Sequence, residues 1–120
     1  ITFEYESEWL DFGWVDPRLK NRIKHVHACK VEFERSLATG TLTFGWRKDG
    51  ETSASRRDTN FAFSTYASQG FFIYRFPVTD VNVAYLKRIK FRLYHADDTS
   101  ALTIRRVTFI ATVEPYKQAF

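Results

Sequence analysis

Apolar and polar residues alternate one by one through most of this chain, and no long segment repeats with the 3.6-residue period of a helix. Between positions 87 and 95, Ile89, Phe91, Leu93 and His95 alternate with Arg88, Lys90, Arg92 and Tyr94. A strand sends successive side chains to opposite faces, so one face of this segment is core and the other is wet. The same period runs from 22 to 34. There Ile23, His25, His27, Cys29, Val31 and Phe33 fall on one face, with Lys24, Val26, Ala28, Lys30 and Glu32 on the other, in a strand long enough to hold a bulge. Leu42, Phe44 and Trp46 share a face within 41–47, as do Phe72, Tyr74, Phe76 and Val78 within 71–78. The last alternation, Leu102, Ile104, Val107, Phe109, Ala111 and Val113, slips phase at Arg105-Arg106, as a bulge requires.

Turn residues punctuate these segments. Asp49-Gly50 predicts a primed hairpin turn, whose central residues need positive φ. Gly13 with Asp16-Pro17, Ala38-Thr39-Gly40 and Asp97-Asp98-Thr99-Ser100 mark further turns, and Pro77 ends a strand or places it at an edge. The polar stretch 51–60 reads as an edge strand plus a loop, and only 79–86 has room for a short helix or turn. Twelve Phe and six Tyr against no Met also favour pleated surfaces, because bulky rings lose side-chain freedom on a helix. The expected architecture is all-β: an antiparallel, jelly-roll-like β-sandwich of seven or eight strands, forming one domain over 1–120.

Several classes are set aside by composition. One cysteine, Cys29, leaves no internal disulfide framework and no Cys-rich zinc motif. No apolar run approaches the roughly 20 residues that span a bilayer, so membrane insertion is not expected. The first residue is Ile1, which is compatible with a processed product or with one domain of a longer protein. A formal charge of +4 is a modest bias toward anionic partners.

No nucleophile elbow, Walker loop or dinucleotide fingerprint is present, so no enzyme and no cofactor are expected. Asp11-Phe12-Gly13 spells the kinase magnesium triplet without the remaining kinase motifs, and is coincidence. His25 and His27, two apart on a strand, have a spacing that can chelate zinc, with Cys29 on the same face. The outer two of these three lie about 13 Å apart, so a site would need His95 or an aspartate from elsewhere. The alternative is that they simply fill a half-buried face. Glu32 with Glu34 reads as a solvated strand face, and Asp97 with Asp98 as a turn.

Two constellations remain as binding candidates. Arg88, Lys90 and Arg92 line one strand face, with Arg56-Arg57 and Arg105-Arg106 as potential neighbours; they suit an anionic partner, a subunit contact, or an outer face that deters edge pairing. Trp9 and Trp14 flank a turn and could stack on a glycan, whereas Trp46 alternates in phase with Leu42 and Phe44 and belongs to the core.

The run Trp9-Leu10-Asp11-Phe12-Gly13, the basic approach from Lys20 to Lys24, the hairpin from Gly40 to Gly50, the strand from Arg88 to His95 and the closing strand from Leu102 to Tyr116 together resemble virion structural proteins of tailed bacteriophages. The resemblance implies a β-sandwich or jelly-roll module of a tail or head decoration, located in the virion, with other virion proteins and copies of itself as partners and no catalytic residues. On this reading 115–120, with Tyr116 and Phe120, is an assembly tail. A carbohydrate-binding module that recognises a host surface glycan has the same general architecture and stands as the alternative. Nucleic-acid binding through the basic face is a weaker reading.

Overall fold

The computed structural model describes residues 3–35, 39–77, 85–95 and 102–113. Within them are eight strands: β1 (Phe3–Glu6), β2 (Lys24–Arg35), β3 (Thr41–Lys48), β4 (Arg57–Ala62), β5 (Phe71–Arg75), β6 (Tyr85–Leu86), β7 (Ile89–His95) and β8 (Leu102–Val113). They form two antiparallel sheets packed together. The first sheet runs β1-β7-β3-β4. In the second, β2 is central; β8 pairs with it from Lys24 to Arg35, while β5 and β6 share its other side end to end. β1 pairs with β7 and β2 with β8, so strands from the two ends of the chain meet in both sheets. This is the expected all-β antiparallel sandwich.

Alternation becomes burial most cleanly in β7, where Ile89, Phe91, Leu93 and His95 are buried and Lys90, Arg92 and Tyr94 are not. The core between the sheets is largely aromatic. Phe44 and Trp46 of the first sheet meet Tyr74 and Phe76 of the second, and the Trp46 indole N–H donates to the Tyr74 hydroxyl at 2.9 Å. Rings are therefore joined across the sandwich by packing and by a buried hydrogen bond.

β2 departs from the expected phase. Its register against β8 shifts between Val26 and Ala28, a bulge centred on His27. Because the side-chain period is two, one extra residue exchanges the faces. Lys24 and Val26 point inward before the bulge and Cys29, Val31 and Phe33 after it, while His25 and His27 lie on the outer side. The expectation that His25, His27 and Cys29 share a face is thus corrected.

The bulge also turns Lys24 into the interior, where it is 1% exposed. Its Nζ donates to the Lys87 carbonyl and lies 5.8 Å from the centroid of the Phe12 ring. Burial pushes its pKa below the usual 10.5, against the attraction of Asp11 and Asp49 and with the repulsion of Lys87. Between the lowered native pKa and 10.5 the unfolded chain holds the proton and the folded chain does not, so this group makes stability rise with pH. A Lys24→Met variant should lack that rise and be more stable than the parent near neutral pH by about 1 kcal/mol, because an apolar chain of similar volume replaces a desolvated cation. Urea unfolding of both proteins at pH 7 and pH 10 checks this; a destabilised variant with an unchanged pH slope would contradict it.

The hairpin turn at Asp49-Gly50 has φ of 50° and 84°, as a primed turn requires. One Asp49 carboxylate oxygen accepts from the backbone N–H groups of Lys87 and Arg88, tying the turn to the start of β7. The polar stretch after it holds a 3-10 turn at Ser53–Ser55 and then β4, the edge strand of its sheet. Where a short helix or turn was expected, Tyr85–Leu86 is strand, and 78–84 lies outside the described residues. Also outside them are the turn Asp97 to Ser100 and the tail with Tyr116 and Phe120. No helix among the described residues is long and apolar enough to cross a membrane.

Candidate functional site

Among the described residues the first sheet is four strands wide and the second three lanes wide, because β5 and β6 share one. Both outer lanes of this second sheet are edges among the described residues, β5 with β6 on one side and β8 on the other, and β8 is the long uninterrupted one. That strand is twelve residues long, and among the described residues it pairs only with β2. Between β8 and β1 runs a groove of about 660 Å³ whose apolar lining includes Phe3, Tyr5, Phe91, Leu93, Ile104 and Val107. Tyr5 pairs with buried Leu93 and so faces inward, and its ring lies 5.8 Å from that of Phe91, yet it is 50% exposed. The inward residues of β8, namely Leu102, Ile104, Val107 and Phe109, are only partly buried. Each of these side chains lacks the cover that a strand beside β8 would provide.

The opposite side of the first sheet carries charge. The indole of Trp9 has Arg47, Arg88 and Lys90 around it, at 5.5, 5.0 and 5.5 Å from its centroid. Two constellations that the sequence kept apart, Trp9 and the basic strand, are therefore one patch. Arg92 stands outside it, paired with Glu4 at 3.0 Å and stacked over Tyr94. Arg56 pairs with Asp58, and Arg57 with Glu51, whose carboxyl is held below its usual range chiefly by that hydrogen bond. Arg105 and Arg106 belong to the other sheet, paired with Glu34 and Glu32. Arg47 was not singled out as a binding residue. Its alternation in β3 put it opposite Trp46, but only the β3–β7 register shows that it faces Lys90.

Trp14 is separate from this patch. It is 65% exposed on the turn after Phe12 and contacts that buried ring at 5.2 Å. The turn closes with Val15 N–H donating to the Phe12 carbonyl, and Phe12 adopts φ of 65°, uncommon for a residue other than glycine.

His25 stacks on Tyr85 at 4.4 Å, with His27 beside it at 4.2 Å, and the His27 Nε2 lies 2.7 Å from the Thr112 hydroxyl. Cys29 is sealed in the core, and burial pushes its thiol pKa well up, which leaves it protonated and unreactive. His95 is buried in the other sheet, its Nδ1 2.9 Å from the Thr41 carbonyl oxygen and its ring edge-on to Phe63. Among the described residues no three His, Cys, Asp or Glu side chains converge on a point where a metal could sit.

No protein-family model, curated protein or solved structure matches this chain.

Proposed function

We propose that this chain is a non-catalytic assembly module whose β8 edge pairs with the β8 edge of a second copy. The observation that carries this reading is the open edge of β8: a long strand bonded on one side only among the described residues, standing over a groove with an apolar floor and a charged rim of Glu4, Arg105 and Arg106. Unpaired strand edges are templates for pairing, and proteins that avoid it shorten the edge, bulge it, or place charges or Pro on it. β8 is twelve residues long and has no Pro; its bulge and its charges, Arg105 and Arg106, fall together near one end, where both arginines are paired with Glu34 and Glu32, and leave Val107 to Val113 as the open stretch. Strand addition draws its affinity from main-chain hydrogen bonds and its specificity from alternate side chains entering pockets.

A second copy is the occupant this chain itself supplies, because β8 has the length and the inward apolar residues that a strand added to this edge needs. Antiparallel pairing of β8 with β8 is self-complementary and closes on a two-fold axis. It would also carry each strand's apolar side over the other copy's groove, covering Tyr5. The virion setting, with neighbouring particle proteins as further partners, rests on the sequence resemblance alone.

Ile110 offers a test that spares the core, since it is 54% exposed on β8. Ile110→Lys should weaken the copy-to-copy affinity at least about tenfold, the equivalent of about 1.4 kcal/mol, with the melting temperature of the monomer essentially unchanged. Sedimentation equilibrium measures the first and circular dichroism the second. Undiminished association in this variant would count against docking through β8.

One observation favours glycan binding as a second reading: Trp14 presents a largely exposed ring at a loop tip. Trp9 does not join it, being ringed by cations.

A further inference from the structure

We propose that Arg47, Arg88 and Lys90, gathered around Trp9, form a binding site for one tetrahedral oxyanion, a phosphate or sulfate group. This goes beyond the assembly reading and does not depend on it.

Arg47 and Lys90 are direct cross-strand partners on adjacent strands, and like charges placed opposite each other repel. Arg88 reaches the same indole from the start of β7. Elsewhere on this sheet such charge is neutralised locally, since Arg56, Arg57 and Arg92 each have a carboxylate within 3.0 Å. At the Trp9 patch the compensation is incomplete. Arg47 has Glu6 at 3.5 Å, while Arg88 and Lys90 have no ion-pair partner among the described residues. The buried Arg47 Nε also lacks any hydrogen-bond partner. Arg88 and Lys90 thus present side-chain charges with no carboxylate paired to them among the described residues, which an anionic tetrahedral group can match.

The patch is also partly preorganised. An Arg47 Nη donates to the Glu51 carbonyl, and the Arg88 backbone N–H donates to Asp49. All three cationic groups lie within 5.5 Å of the Trp9 ring centroid, so Trp9 is a positioning residue, and Arg88 and Lys90 are the ligand contacts. The Arg88 guanidinium fork and the Lys90 ammonium suit phosphate and sulfate oxygens, which accept from several directions at once, while Arg47, its Nη atoms held by Glu51 and Glu6, adds charge beside them. Single-stranded nucleic acid, by contrast, calls for a charged track with successive exposed rings. This patch has one half-buried indole.

The test is an NMR titration of the folded chain with inorganic phosphate at constant ionic strength, following the Trp9 indole N–H, which Trp9→Phe identifies. The expected result is a saturating shift confined to Trp9 and its neighbours, with the Trp14 and Trp46 indoles still. The dissociation constant should rise at least about tenfold, a loss of about 1.4 kcal/mol, in the double variant Arg88→Gln and Lys90→Gln. Circular dichroism confirms that this variant folds. A shift that fails to saturate, that chloride reproduces, or that persists in the double variant would overturn the proposal. Glucose 6-phosphate is the second probe: tighter binding than the free ion assigns the site to an ester, and equal binding assigns it to the ion itself. An oligothymidylate that binds more tightly than either, with a steep salt dependence, would overturn the single-anion site in favour of a nucleic-acid track.

Discussion

Replacing Trp46 by alanine is expected to cost about 4 to 6 kcal/mol of folding stability, a large share of the roughly 5 to 15 kcal/mol that a domain has. The side chain is fully buried, packs edge-on against Phe76 at 4.8 Å, and carries Arg57 over its ring at 4.4 Å. Removing so large a buried ring alone costs about 3 to 5 kcal/mol through lost transfer energy and the cavity left behind. The substitution also removes the indole donor and strands the Tyr74 hydroxyl between the sheets, adding about 1 to 3 kcal/mol, with the two effects overlapping. Trp46→Phe separates them: it restores much of the volume and none of the hydrogen bond, and should cost about 2 kcal/mol. Urea unfolding reads both variants. A cost below about 1 kcal/mol for alanine would show that Trp46 does not join the two sheets.

Phe91→Ala should cost about 3 to 5 kcal/mol. Phe91 lies at the centre of β7, with its ring 5.8 Å from Tyr5, 6.2 Å from Phe44 and 5.6 Å from Phe109. It thereby links both edges of the groove to the core, because Tyr5 belongs to β1 and Phe109 to β8. Its loss should both destabilise the monomer and weaken association beyond what the fall in folded protein explains, since the groove loses its floor. Urea unfolding gives the first effect. Sedimentation under conditions where the variant is folded gives the second, and normal association there would detach the groove from the docking surface.

Much of this architecture was legible in the sequence, because alternation is local and the Phe-rich runs have nowhere to place their rings except between two sheets. Leu42, Phe44 and Trp46, like Phe72, Tyr74 and Phe76, are buried on the faces their spacing predicts. What escaped is non-local. The bulge at His27 exists only in the register of β2 against β8, and it puts His25 and His27 on the face opposite Cys29 while driving Lys24 inward. The open edge of β8 follows from how the strands of the second sheet pair, with β5 and β6 sharing one side of β2 and β8 on the other. The union of Trp9 with Arg88 and Lys90 arises because Leu10 bridges to Ile89, bringing the segment after β1 alongside β7. Tyr116 and Phe120 lie outside the described residues.

The most direct test of docking through β8 is the mass of the purified chain by static light scattering, measured from micromolar to near-millimolar concentration. Two-fold pairing predicts a mass that rises from 14.1 kDa to twice that value and then stops. A mass that stays monomeric throughout, or one that keeps growing past the dimer, would contradict it.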